Sequence, residues 1–101
     1  MRFHNIELPK DRIVEFCRHK GIKELALFGS ILTDHFGPDS DIDILVSFEA
    51  DCGYSLLDLA QIKEELKTIL GREVDLVEKA ALKNPFRRHS ILHNMEIVYA
   101  A

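Results

Sequence analysis

Three aspartates and one glycine–serine pair carry the chemistry that this sequence could do. Asp41 and Asp43 stand two residues apart at the head of an apolar run, Asp41-Ile42-Asp43-Ile44-Leu45-Val46. Alternate residues of a strand share a face, so both carboxylates point one way, roughly 7 Å apart at their Cα atoms. Ile42, Ile44, Val46 and Phe48 then point the other way, toward a core. Asp75 repeats the geometry within Val74-Asp75-Leu76-Val77. Hard oxygen ligands without His or Cys select magnesium, or manganese, over zinc. Magnesium held by carboxylates completes its shell with water and substrate phosphates. The expectation is therefore a phosphate-chemistry site with metal on Asp41, Asp43 and Asp75. Two ions suit in-line displacement, one on an attacking hydroxyl and one on a nucleotide. Asp75 could instead take the proton of that hydroxyl.

Gly29-Ser30 supplies the other half of such a site. Ten residues separate it from Asp41. Glycine lets the backbone come close to a phosphate, and the N–H groups of a following helix, with the Ser30 hydroxyl, can donate to phosphate oxygens. Each piece alone has a plainer reading. Gly29-Ser30 is a turn, Asp41 a turn residue, and Asp43 and Asp75 exposed strand positions. Carboxylates are depleted in strands, yet here they recur on one face of two apolar strands. Rival acid-rich motifs fail. An EF-hand loop beginning at Asp39 needs Gly where Ile44 stands and Glu where Ala50 stands. A P-loop needs Gly-Lys-Ser/Thr after Gly29, and none follows.

The elements that must position these residues follow from periodicity. Pro9 to Lys20 reads as a helix with Ile13, Phe16 and Cys17 on one face and Gly21 as its left-handed stop. Ile22 to Phe28 reads as a strand. Ile31 to Phe36 is expected to begin a short helix, and Gly37-Pro38-Asp39-Ser40 a turn. Glu49 to Tyr54 is a loop. Ser55 to Asp58 fits a capping box opening a helix that buries Leu59, Ile62, Leu66, Ile69 and Leu70 and closes at Gly71. Glu73 to Val77 is a third strand. Asn84-Pro85 starts a last helix, Phe86 to Asn94, and Ile97 to Tyr99 is an edge strand or an apolar tail. Arg87-Arg88-His89 is a dense basic cluster, and a solvated helix face is its preferred reading over a site for nucleotide phosphate or an acidic partner. Phe36 and Tyr54 are read as packing before base stacking, and His35 as a surface histidine.

The bulk numbers set limits. A chain of 101 residues, 47% hydrophobic and 30% charged, is one globular domain spanning 1–101. A net charge of −4 argues against direct binding to nucleic acid. Cys17 and Cys52 form no C-x-x-C pair, so neither zinc nor redox chemistry is expected, and Cys17 is read as a buried hydrophobe. The first residues show no apolar signal region, and no run has membrane-span length, so a cytoplasmic location is expected.

The spacing Gly29-Ser30, ten residues, Asp41-x-Asp43 resembles the signature of the DNA polymerase β-like nucleotidyltransferase superfamily. With Val74-Asp75-Leu76-Val77 downstream, the whole chain resembles its minimal branch, the MNT proteins, which include MntA-like antitoxins of HEPN/MNT toxin–antitoxin systems. The resemblance implies an α+β fold, a small mixed β-sheet with helices packed on one face. It implies transfer of AMP from ATP, with magnesium on Asp41, Asp43 and Asp75 and with Gly29 and Ser30 on the triphosphate. It also implies a HEPN-domain protein partner that offers a tyrosine hydroxyl and helps complete the site; self-association is left open. One departure stands out. Many relatives carry an arginine shortly after Gly-Ser, and Ile31-Leu32-Thr33-Asp34-His35 has none. A second function follows from that departure, a non-catalytic antitoxin-like subunit that neutralises its partner by masking; a third is a nucleotide-binding regulatory domain. The enzyme ranks first because a decayed site would be expected to lose a carboxylate, and all three are present.

Overall fold

Two stretches of alternating apolar residues build the centre of the molecule. In the computed structural model, which describes residues 1–3, 6–50 and 53–101, they are the strands β3 (Ile22–Phe28) and β4 (Ile42–Phe48). Cys52 lies outside the described residues. β3 runs antiparallel to β4 on one side and to β6 (Met95–Ala100) on the other, and β4 runs parallel to β5 (Val74–Glu78). The order is β5-β4-β3-β6, a mixed four-stranded sheet with β6 at one edge. A parallel pair needs a crossover. Helix α2 (Leu56–Leu70) provides it, opened by the Ser55–Asp58 capping box and closed by Gly71 at φ 68°.

One face of the sheet is the main core. Leu25, Leu27, Ile42, Ile44, Val46 and Val74 pack there against Ile13 and Cys17 of α1 (Lys10–Lys20) and Ile62, Leu66 and Leu70 of α2. Leu59 and Ile69, expected with them, are half-buried. Cys17 is fully enclosed, and burial pushes its thiol up to about 12. It is inert filler, as its position on the helix suggested. Tyr54 packs edge-on against Phe48, with ring centroids 5.0 Å apart, and its hydroxyl donates to the Lys20 carbonyl. Phe36 is buried in the same core. Both aromatics do packing work.

The opposite face carries a smaller cluster of Ala26, Phe28, Leu45, Leu82 and Ile91. Helices on one face describes α1 and α2. Helix α3 (Pro85–His93), capped by the Asn84 side chain on the N–H groups of Phe86 and Arg87, adds cover on the other. The reason lies in Leu45. It alternates onto the face of the aspartates, where strand pattern alone predicts solvent, yet it is 1% exposed because Ile91 and Leu82 lie over it. A two-residue hairpin, β1 (Arg2–Phe3) with β2 (Ile6–Glu7), also forms at the start of the chain. Strands that short leave no periodicity to read.

Candidate active site

Strand register places the aspartates. Asp43 of β4 lies opposite Asp75 of β5 on one side and opposite Phe28, the last residue of β3, on the other. Paired residues of neighbouring strands stand about 5 Å apart and share a face. Asp41 precedes β4 by one residue and shares the face of Asp43 by alternation. The crowding has an electrostatic signature. Burial, then the Asp75 charge, then the Asp41 charge all push the Asp43 carboxyl above its ordinary range, and only Arg87 draws it back. A carboxylate held among like charges is one that a bound cation would relieve.

Among the described residues, no three His, Cys, Asp or Glu side chains stand close enough to close on a single ion. Magnesium does not require such a cage. It is held by one or two carboxylates and keeps water and substrate phosphates for the rest of its shell. Neighbouring aspartates at the ends of two parallel strands, with a third beside them, fit that donor set.

Gly29 follows β3 directly and has φ 78°, a conformation that side chains disfavour. A Cβ atom there would overlap Oδ2 of Asp43. The glycine is thus required twice, by its backbone and by the carboxylate against it. Residues Gly29–Leu32 form a 3-10 turn anchored by buried Ile31. The helix expected to begin at Ile31 and run toward Phe36 is instead this turn. Thr33 stops it, giving both its N–H (2.9 Å) and its hydroxyl (2.8 Å) to the Ser30 carbonyl. Ser30 is half-buried within the turn.

Two arginines matter that sequence reasoning passed over or set aside. Arg72, just before β5, donates to the carbonyls of Gly37 (2.5 Å) and Ser40 (2.7 Å) and lies over the Phe36 ring, 4.6 Å from its centroid. It pins the Gly37–Ser40 turn, which delivers Asp41. Asp39 belongs to that turn, as read. Nothing local in the sequence marks Arg72, because its partners are 32 and 35 residues away. The basic cluster of α3 divides into separate jobs. Arg88 donates to the Lys79 carbonyl (3.0 Å), the His89 ring stacks on His93 at 3.9 Å, and Arg87 acts on Asp43.

A cleft of about 810 Å³ opens beside the turn, with Phe28, Gly29, Leu32, Thr33, Ile91 and Met95 among its lining. That is ample for a small ligand. None of the three aspartates lines it; Gly29 is the residue that cleft and carboxylates share.

The sequence pattern of the nucleotidyltransferase domain family matches residues 10–98. The chain belongs to that family. It is 40% identical over 79 residues to a protein of Thermococcus cleftensis named protein adenylyltransferase MntA, covering 78% of this chain and 75% of the relative. A solved structure provisionally named a minimal nucleotidyltransferase is 34% identical, with a TM-score of 0.71 and 85% of each chain covered. A chain from the complex of a tri-AMPylated Shewanella oneidensis HEPN toxin with an MNT antitoxin superposes with a TM-score of 0.67, covering 91% of this chain and 70% of that one. At 21% identity that last likeness is one of fold. The α+β fold with a small mixed sheet, expected from the sequence, is the fold observed, with α3 added on the second face.

Proposed function

We propose that this chain is a protein adenylyltransferase that moves AMP from ATP to a tyrosine hydroxyl of a HEPN-type partner, as the antitoxin of a toxin–antitoxin pair, with residues 1–101 acting as one minimal domain. The observation that carries the reading is the register of Asp43 with Asp75 at the strand end where Gly29 touches Asp43. The adenylyltransferase name of the Thermococcus relative and the HEPN partner of the structural neighbour support it.

The reaction places demands that these residues meet. The acceptor oxygen bonds to the α-phosphorus, the bond from that phosphorus to the β-phosphate bridge oxygen breaks, and pyrophosphate leaves with the electron pair. The hydroxyl proton passes to a carboxylate, and Asp75 is exposed at the edge strand where an incoming side chain can reach it. Gly29 leaves its backbone open to the phosphates, and Ser30 adds a hydroxyl donor. Asp41 and Asp43, with Asp75 beside them, would hold two magnesium ions rather than close on one, and these would supply positive charge for the developing negative charge on the phosphates. Adding magnesium is expected to raise the melting temperature of the wild-type protein and leave that of an Asp41→Asn/Asp43→Asn variant unmoved. Equal shifts in both would remove the metal assignment.

The decisive experiment is intact-mass spectrometry of a HEPN-type partner after incubation with this protein, ATP and magnesium. A gain in whole AMP units, lost with the double Asn variant, is the expected result. A stable complex with no mass gain would overturn the transfer reading in favour of masking. Exposed apolar residues give masking some support: Leu56, Leu57 and Phe86 are each more than 80% exposed and Ile97 is 50% exposed. In the apolar tail Val98 is buried and Tyr99 half-buried, which leaves Ile97.

A further inference from the structure

The departure after Gly29-Ser30 extends beyond the five residues that first reveal it. From Glu24 to Ile62 the chain contains no Lys or Arg. Strand β3, the phosphate turn, the loop and β4 therefore offer no permanent cation to a triphosphate. Any such charge must come from an element that folds over them.

The cations nearby are mostly committed. Arg72 is spent on the Gly37 and Ser40 carbonyls. Lys79 pairs with Glu24 at 3.5 Å, and Arg88 donates to the Lys79 carbonyl. Among the described residues the Arg87 guanidinium has no hydrogen-bond or ion-pair partner, and the residue is exposed. Its place on α3 is fixed by packing. Ile91, one helical turn later and so on the same side of the helix, is buried with Ala26, Phe28 and Leu45 on the face that carries the aspartates. Arg87 therefore emerges from the sheet-facing side of α3, over the face that carries the aspartates.

We infer that Arg87, from helix α3, is the phosphate-binding cation of this site. This assignment rests on the transferase reading above. A planar guanidinium on a flexible stem suits two phosphate oxygens at once. Exposure is consistent with the role, since the group is engaged when nucleotide arrives. The same placement explains why a helix lies on the catalytic face at all: it covers Leu45 with Ile91 and presents Arg87 one turn away.

The test is calorimetric titration of the full chain with MgATP and, separately, AMP. Arg87→Gln is expected to weaken MgATP binding by roughly tenfold or more, with little change for AMP and an unchanged melting temperature. Arg87→Lys should recover part of the loss, because charge returns without the fork. Lys83→Gln, which removes an exposed charge just before α3, should leave affinity as it was. Unaltered MgATP affinity in Arg87→Gln would overturn the assignment alone. An equal loss in Lys83→Gln would overturn it in favour of a diffuse field. A wild-type chain that binds no MgATP would remove both this assignment and the transfer reading.

Discussion

Asp43→Asn is expected to abolish nucleotide transfer while leaving the protein folded and somewhat more stable. The loss should be on the order of a thousandfold or more, equivalent to roughly 4 kcal/mol of transition-state stabilisation. Asparagine keeps the shape and removes the charge that would bind metal. The gain in stability follows from the site itself. Burial and the charges of Asp75 and Asp41 raise the Asp43 carboxyl, so the folded state holds that proton more tightly than the unfolded chain does. Folding then binds protons, and stability falls as pH rises from the unfolded-state value through the raised folded-state value. Above that window the ionised carboxylate remains a constant cost. Asp43→Asn lacks the cost, so its melting temperature should change less than that of wild type as pH rises from the ordinary carboxylate range. Thermal melts across that range, paired with the mass-spectrometric assay, check both halves. A variant that melts far below wild type at neutral pH would show that Asp43 supports the fold rather than straining it.

Gly29→Ala should be nearly as damaging to transfer, for a different reason. At φ 78° the alanine is strained, and its Cβ would overlap Asp43 Oδ2. Either the turn or the carboxylate must move, and both belong to the site. A stability loss of about 1–3 kcal/mol is expected, with transfer falling at least a hundredfold. Gly71→Ala is the matched control. Gly71 has a similar φ of 68°, but a Cβ there would meet nothing within 4 Å. That variant should lose comparable backbone energy and keep its activity. If both glycine variants lose stability alike and both remain active, contact between Gly29 and Asp43 has no catalytic weight.

Arg72 and Arg87 show why tertiary placement matters more to this site than its short motifs suggest. Neither lies near Gly29-Ser30 or Asp41-x-Asp43 in sequence. One secures the loop between the motifs through carbonyls on the far side of a crossover. The other stands on a helix that follows the last of the carboxylates by ten residues and packs on their face of the sheet.

The sequence by itself determined strands β3, β4 and β5 and the face of each aspartate, because alternation against an apolar stripe allows only one orientation. It also determined the stops and caps, since Gly21, Gly71, Ser55 and Asn84 act through their own backbone or neighbours. The spacing of Gly29-Ser30 from Asp41-x-Asp43 was enough to indicate the family. Tertiary structure alone decided which strand lies beside which, and so that Asp75 stands level with Asp43 rather than at the other edge. It decided that α3 covers Leu45 on the face of the carboxylates, and that Gly29 touches Asp43 across β3 and β4. Local preferences act over a few residues; these contacts join residues 14 to 46 positions apart, and only closure of the sheet and packing of its faces bring them together.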